Sequence, residues 1–269
     1  MIWCVPSGCL FIMNRLLSSL NREPTATIRV ITNITTIMNI KFTAPFSKSF
    51  GLLKLLRLTS SSLPIGSFSY SQGLEYAVSR GWVKDSSTAL DWIQGLMKNS
   101  LLHLEIPIFK RVYKAFEENE EESTQYWNAY LMASRDSYEL QEEDRQQGKA
   151  LARLLVELGL KEKEVYLCQP YGCFLTSFSL AAVRWEISLE DSVNGFLWMW
   201  AENQVLSATK LIPLGQTEGQ KILSQLIEII PHISEKGLAL DDEEIGYTAF
   251  GLGMASALHE TQYTRLFRS

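Results

Sequence analysis

At 269 residues, with 46% apolar and 20% charged side chains, the chain has the composition of a globular protein with material for one large domain or two small ones. A net charge of −5 and an isoelectric point near 5.4 give nucleic acid no electrostatic footprint. No apolar run reaches the ~18 residues of a membrane span, so a soluble protein without nucleic-acid or membrane contacts is expected.

Residues 1–50 carry Arg15, Arg22, Arg29, Lys41 and Lys48 against Glu23 alone, a charge of +4 that leaves −9 for the rest. They are rich in Ser, Thr and Asn and show no helical period. We read them as a disordered leader or a spurious extension with Met38 as the true start; an organelle transit peptide is the alternative. Residues 51–269 form the folded domain. Its first helix is expected at roughly 51–62, stopped by Pro64 and Gly66. In "LPIGSFSYSQGLE" (63–75), Ser67 or Ser69 then caps the next helix, with Gln72 at the third helical position if Ser69 is the cap. A phosphate could sit on such free N–H groups, but no P-loop lysine or basic cluster accompanies them.

Ala89, Trp92, Ile93, Leu96 and Met97 follow the spacing of a one-faced helix, with Asp85 and Ser86 as candidate caps. The acidic run "EENEEES" (117–123) reads as a solvated helix end and linker. Leu151, Leu154, Leu155 and Leu158 repeat the helical spacing up to Gly159. The stretch 189–212 is apolar on more than one face, as a buried helix should be, and Asn203 and Gln204 continue its stripe. Those two amides must find partners, most simply on a neighbouring loop. Thr217 and Gln220 form a capping box for a helix carrying Ile222, Leu223, Leu226, Ile227 and Ile230, ending before Pro231. In the last helical stretch, 243–258, Gly246, Ala249, Gly253 and Ala257 permit close helix approach. No segment alternates with period 2. The fold class is all-α: a single multi-helix bundle domain.

Catalytic signatures fail one by one. Gly148-Lys149 lacks the first P-loop glycine (Glu143 stands there) and the Ser or Thr that should follow (Ala150). "HETQY" (259–263) starts like a zinc-protease motif, but Tyr263 replaces its second histidine. Cys4, Cys9, Cys168 and Cys173 have no C-x-x-C spacing; "CQPYGC" would chelate a metal only if a turn joined its thiols. Free thiols in a reduced compartment are the simpler reading, and no metal site or cofactor is expected. Glu139, Glu142, Glu143 and Asp144 could line an acidic pocket of a helical enzyme, but at consecutive helical positions most would face water. The tail "HETQYTRLFRS" ends on two apolar pegs, Leu266 and Phe267, flanked by Arg265 and Arg268, an unusual finish for a chain end. Docking on its own core is one reading; ordering against a partner that buries both pegs is the sharper one.

Four stretches, "LPIGSFSYSQGLE", "ASRDSYELQEEDRQQGKAL" (133–151), "PLGQTEGQ" (213–220) and "HETQYTRLFRS" (259–269), together resemble the urease accessory protein UreF family in order and spacing, and the long leader suggests a eukaryotic member. The resemblance implies an all-α, dimeric, cytoplasmic, non-enzymatic protein. It would bind UreD (UreH in some organisms), recruit the GTPase UreG, and serve nickel delivery to apo-urease, acting on the GTPase rather than ligating nickel. It places partner-binding residues at Pro64, Gly66, Phe68, Ser69, Gln72 and Gly73; at Ser134, Arg135 and Glu139; and at His259, Glu260, Tyr263, Arg265, Leu266, Phe267 and Arg268. Against the family's "ASRET-x-E-L-R", this chain has Asp136, Ser137 and Gln141, and Ser67 stands where a second glycine is common. A helical enzyme or a generic helical adaptor unrelated to nickel are the readings that compete with it.

Overall fold

The computed structural model describes residues 45–166 and 172–268, with side chains from residue 50 on. Apart from the start of its first helix, the expected leader lies outside them, as do Cys4, Cys9 and Cys168. The described residues form eleven α-helices and no strand. They run as α1 (Pro45–Leu58), α2 (Leu74–Ser79), α3 (Ser86–Leu96), α4 (Glu105–Glu118), α5 (Glu121–Ala133), α6 (Tyr138–Glu157), α7 (Glu162–Val165), α8 (Phe174–Arg184), α9 (Leu189–Leu211), α10 (Gln216–Ala239) and α11 (Phe250–His259).

The centre is α8, whose residues from Phe174 to Ala182 are all buried. It lies against α4 and α6, while α9 runs along α10. Phe109, Phe174, Phe178 and Phe196, from α4, α8 and α9, meet with ring centroids 5.7–6.2 Å apart. Burying each ring stabilises the fold by about 1.5–3 kcal/mol, so this cluster fixes how the three helices cross. Helix α2 sits between α9 and α11, which brings the chain's first loop and its last helix together.

Several local expectations hold. Asp85 caps α3 in a reciprocal box with Thr88. Asn119, left-handed at φ 59°, ends α4 inside the acidic run. Others are corrected. Helix α1 starts and ends earlier than expected. Thr217 lies inside α10, whose cap is Gly215, with no side-chain hydrogen bond. Helix α10 also continues through Pro231: the ring faces solvent, while Ile233, Ser234 and Gly237 extend the buried stripe beyond it. That burial offsets the ~3 kcal/mol an internal proline costs. The stretch 243–258 is α-helical only from Phe250; Asp242–Glu244 form a 3-10 turn, and Gly246 at φ 120° lies in the non-helical segment between. Close approach survives at Gly253, where an added Cβ would stand 2.9 Å from an Asp136 carboxylate oxygen.

Candidate functional site

Three of the four sequence stretches converge on one end of the bundle. The loop 63–75 needs left-handed backbone at Gly66 (φ 78°) and Gly73 (φ 76°), and Gln72 adopts it too (φ 52°). Gln72 is held there from both sides: Trp200 Nε1 donates to its Oε1 at 2.7 Å, and its Nε2 donates to Glu143 at 2.9 Å. Asn203 and Gln204 donate to the carbonyls of Tyr70 and Ser71, as their place on the α9 stripe suggested. The amides of Ser69, Tyr70, Leu74 and Glu75 all bond within the loop, so these four are not offered to an anion. The cap of α2 differs from expectation: Gly73 occupies the position, and Ser71 Oγ accepts from Glu75 N–H.

The second stretch enters through α6, capped by Ser137, whose Oγ accepts from Leu140 N–H and meets Ser256 Oγ at 2.6 Å. Just before it, Arg135 bonds Asp144 at 2.7 Å and Glu105 at 2.5 Å inside the bundle. Burial works against the charge on Arg135, but Asp144 and Glu105 outweigh it and hold its pKa above the ordinary arginine value. Asp144 also accepts from Phe174 N–H at 2.8 Å, tying α6 to the start of α8. Between loop, α6 and α9 lies a cavity of about 70 Å³ lined by Gln72, Glu105, Arg135, Glu143 and Trp200. Glu105 Oε2 is buried without a protein partner, and the cavity has room for a few waters to supply one.

The third stretch is the tail. Glu75, at the start of α2, accepts from the N–H groups of Leu266 (2.6 Å) and Phe267 (2.8 Å). Arg268 N–H donates to Ser69 O, and Arg265 pairs with Glu139 at 2.6 Å. Phe267 is buried, with the Lys210 ammonium 5.4 Å above its ring. His259 lies beneath, fully buried, between Glu75 and Glu139. Glu260 receives Tyr138 N–H at 2.8 Å.

The expected partner-binding residues sort by exposure, with Gly66, Ser69, Gln72 and Glu139 half-buried. Pro64, Phe68, Glu260, Tyr263, Arg265, Leu266 and Arg268 are exposed. Gly73, His259 and Phe267 are buried, Arg135 is nearly so, and Ser134 bonds Tyr130 O, so these shape the surface from below. The idea that a partner buries both pegs is corrected for Phe267, which its own chain already covers; Leu266 stays open. The acidic pocket is corrected as well. Glu143 and Asp144 are buried rather than facing water, and Glu139 is mostly covered. Each carboxylate has bonded donors: Gln72 and Gln147 for Glu143, Arg135 for Asp144, His259 and Arg265 for Glu139, Arg145 and Gln146 for Glu142. The fourth stretch, 213–220, turns α9 into α10, where Gly219 packs on Val205 and Thr209. Of the cysteines, Cys173 is buried.

Gly73 gives a direct test of this end of the bundle. An added Cβ would stand 3.0 Å from Ala255 Cβ and from Ser256 N, at a φ that L-residues avoid. Gly73→Val should cost about 2 kcal/mol in urea unfolding, from backbone strain and overpacking against α11. A variant as stable as wild type would show that α11 moves away freely.

The UreF family model matches residues 83–227 of this chain. Among curated relatives, the urease accessory protein UreF of Alkalilimnicola ehrlichii is 45% identical over 216 residues, covering 80% of this chain and 95% of that one. The UreF of Teredinibacter turnerae is 45% identical over 218 residues, covering 81% and 98%. That of Hahella chejuensis is 41% identical over 218 residues, with the same coverage. The matched segment contains α6, α8 and α9, whose side chains build the floor of the converged surface, and the chain belongs to the urease accessory protein UreF family.

Proposed function

We propose that this protein is a non-enzymatic cytoplasmic adaptor of urease maturation, bridging UreD/UreH and the GTPase UreG so that nickel, as cargo, reaches apo-urease. One observation carries the reading. Residues 265–268 are anchored by four hydrogen bonds and ion pairs to the first loop, α2 and α6, and Tyr263, Leu266, Phe68 and Tyr138 are all exposed. Exposed aromatic and apolar side chains on an ordered backbone, rimmed by Arg265 and Arg268, have the make-up of an interface. Two of the carboxylates that could have served an enzyme hold this surface, Glu139 through Arg265 and Glu143 through Gln72. No helix among the described residues is long and apolar enough to cross a membrane.

A second surface supports the homodimer. Phe50, Leu52, Leu53 and Leu56 of α1 are all more than half exposed, while Leu55 packs inward on Gly195. An apolar face of this kind is a natural contact for a second copy within the complex.

The test is co-expression with UreD and then UreG, followed by size-exclusion chromatography with mass determination. Tyr263→Ala combined with Leu266→Ala removes apolar area already in water, so thermal stability should hold while capture of UreD falls at least tenfold. Removing residues 259–269 would be a poor substitute, because His259 and Phe267 belong to the fold. Undiminished capture by the double variant would move the interface elsewhere, and a chain that stays alone beside folded partners would overturn the bridge.

A further inference from the structure

The cavity between the first loop, α6 and α9 is walled by more negative than positive charge. Glu105 and Asp144, with side chains 5% and 6% exposed, share the single guanidinium of Arg135. The triad therefore carries one net negative charge away from water, and Glu143 lines the same space. Among the described residues, no lysine, histidine or second arginine lines it. A buried charge needs an opposite charge as well as hydrogen bonds, because the interior screens it poorly.

The two paired carboxylates differ in one respect. Asp144 uses both oxygens, Oδ2 toward Arg135 and Oδ1 toward Phe174 N–H at 2.8 Å. Glu105 uses Oε1 toward Arg135 at 2.5 Å, while its Oε2 is buried with no protein donor. An ionised carboxylate oxygen only accepts, so the hydrogen-bonding lacks a donor here and the charge balance lacks one cation. A water supplies the first and not the second; an ammonium group supplies both. A metal ion suits the walls less, since among the described residues no three His, Cys, Asp or Glu side chains are grouped to hold one. The remaining walls set the character of the cation. Leu101, Met199 and Leu252 give a space of about 70 Å³ an apolar side, against which a short alkyl stem can lie. Ser67, Gln72, Trp200 and Asn203 are only half-buried, which puts the opening between the first loop and α9.

We propose that this cavity binds a primary ammonium cation on a short apolar stem: the ammonium donates to Glu105 Oε2 and neutralises the Glu105–Arg135–Asp144 triad, while the stem lies against Met199 and Leu252. Two sources present this chemistry, a free small alkylamine and the lysine side chain of a partner docked over the first loop. The site belongs to the isolated chain and stands whether or not the bridging function does.

The test uses the full chain and methylammonium chloride, read by thermal unfolding and calorimetry at constant ionic strength, with sodium and tetramethylammonium chlorides as controls. Tetramethylammonium has the charge but no N–H. Methylammonium should raise the unfolding midpoint saturably, by about 3–6 °C at tenfold over its dissociation constant, and the two controls should not. Glu105→Gln keeps the shape and removes the charge. It should weaken methylammonium binding by about tenfold or more, the scale of one charge-assisted hydrogen bond. An equal response to all three salts overturns the site, as does an undiminished methylammonium response in Glu105→Gln. If Glu105→Gln does not fold, NMR of the wild-type chain decides. Nuclear Overhauser contacts from the methylammonium methyl group to Trp200 and Leu252 support the site, and their absence overturns it. The complex with UreD then separates the two sources. A complex that still takes up methylammonium leaves the cavity to a free amine, and one that excludes it assigns the cavity to a partner's lysine. Failure to form any complex counts against the bridge alone, and the free-chain readings still decide the site.

Discussion

Replacing Arg135 with leucine is expected to lower the unfolding free energy by about 3–5 kcal/mol, the usual cost of leaving a buried ion pair with one member missing. Glu105 and Asp144 have side chains only 5% and 6% exposed, so water reaches neither freely once the guanidinium is gone. Glu105 is the worse placed, since its second oxygen already has no protein partner. Asp144 retains Phe174 N–H, and through it the join between α6 and α8. Urea unfolding should show a lower midpoint with an unchanged slope. Arg135→Lys should recover only part of the loss, because an ammonium does not reach both carboxylates with the fork of a guanidinium. The sign with pH is also fixed. A raised arginine pKa contributes stability that is fully present below the unfolded arginine value, so the interaction lost with Arg135 is present throughout the physiological range. A loss under ~1 kcal/mol would mean that the cavity waters solvate the two carboxylates as well as Arg135 does.

This triad marks where sequence reading stops. The period of Leu151, Leu154, Leu155 and Leu158 announces the second half of α6. Yet the buried face runs back through Gly148, Gln147, Asp144, Glu143 and Leu140, at the same helical spacing. An apolar period registers hydrocarbon, and here three of the eight buried positions are carboxylate or amide, with partners that include Gln72 in the first loop and Arg135 just before the helix. The expectation that these acids face water fails for that reason. Asn203 and Gln204 were legible because they interrupt an otherwise apolar stripe, where a buried amide demands a partner. Pro231 misled because the proline penalty is local while the burial that outweighs it is tertiary. The tail was legible as unusual, and docking on its own core was one of its two readings, but the anchor that holds it was not. Its anchor, Glu75, is 191 and 192 residues away from the two amides it holds. Nothing near Glu75 in the chain predicts that pairing, and His259 entered the reading as a failed metal motif and an expected partner contact, not as a buried residue.

Gly148 offers the sharpest separation between local and tertiary reasoning. It sits inside α6, where alanine would normally gain up to ~1 kcal/mol over glycine. An added Cβ would fall 1.8 Å from Gly172 O and 2.8 Å from the Cys173 carbonyl carbon, both backbone atoms. Neither can turn aside as a side chain could, so the start of α8 must move off α6. That shift strains the Asp144 bond to Phe174 N–H and the Ser177 bond to Gly148 O. Gly148→Ala should therefore destabilise by about 3 kcal/mol, at the upper end for overpacking. Gly95, helical in α3, has nothing within 4 Å of its added Cβ, and Gly95→Ala should stabilise instead by up to ~1 kcal/mol. The same chemical change is thus expected to have opposite signs at two helical positions, read from paired urea unfolding curves. If both variants gain stability, the contact between α6 and the 172–173 backbone is looser than a helix–loop junction held by Arg135 and Asp144 should be.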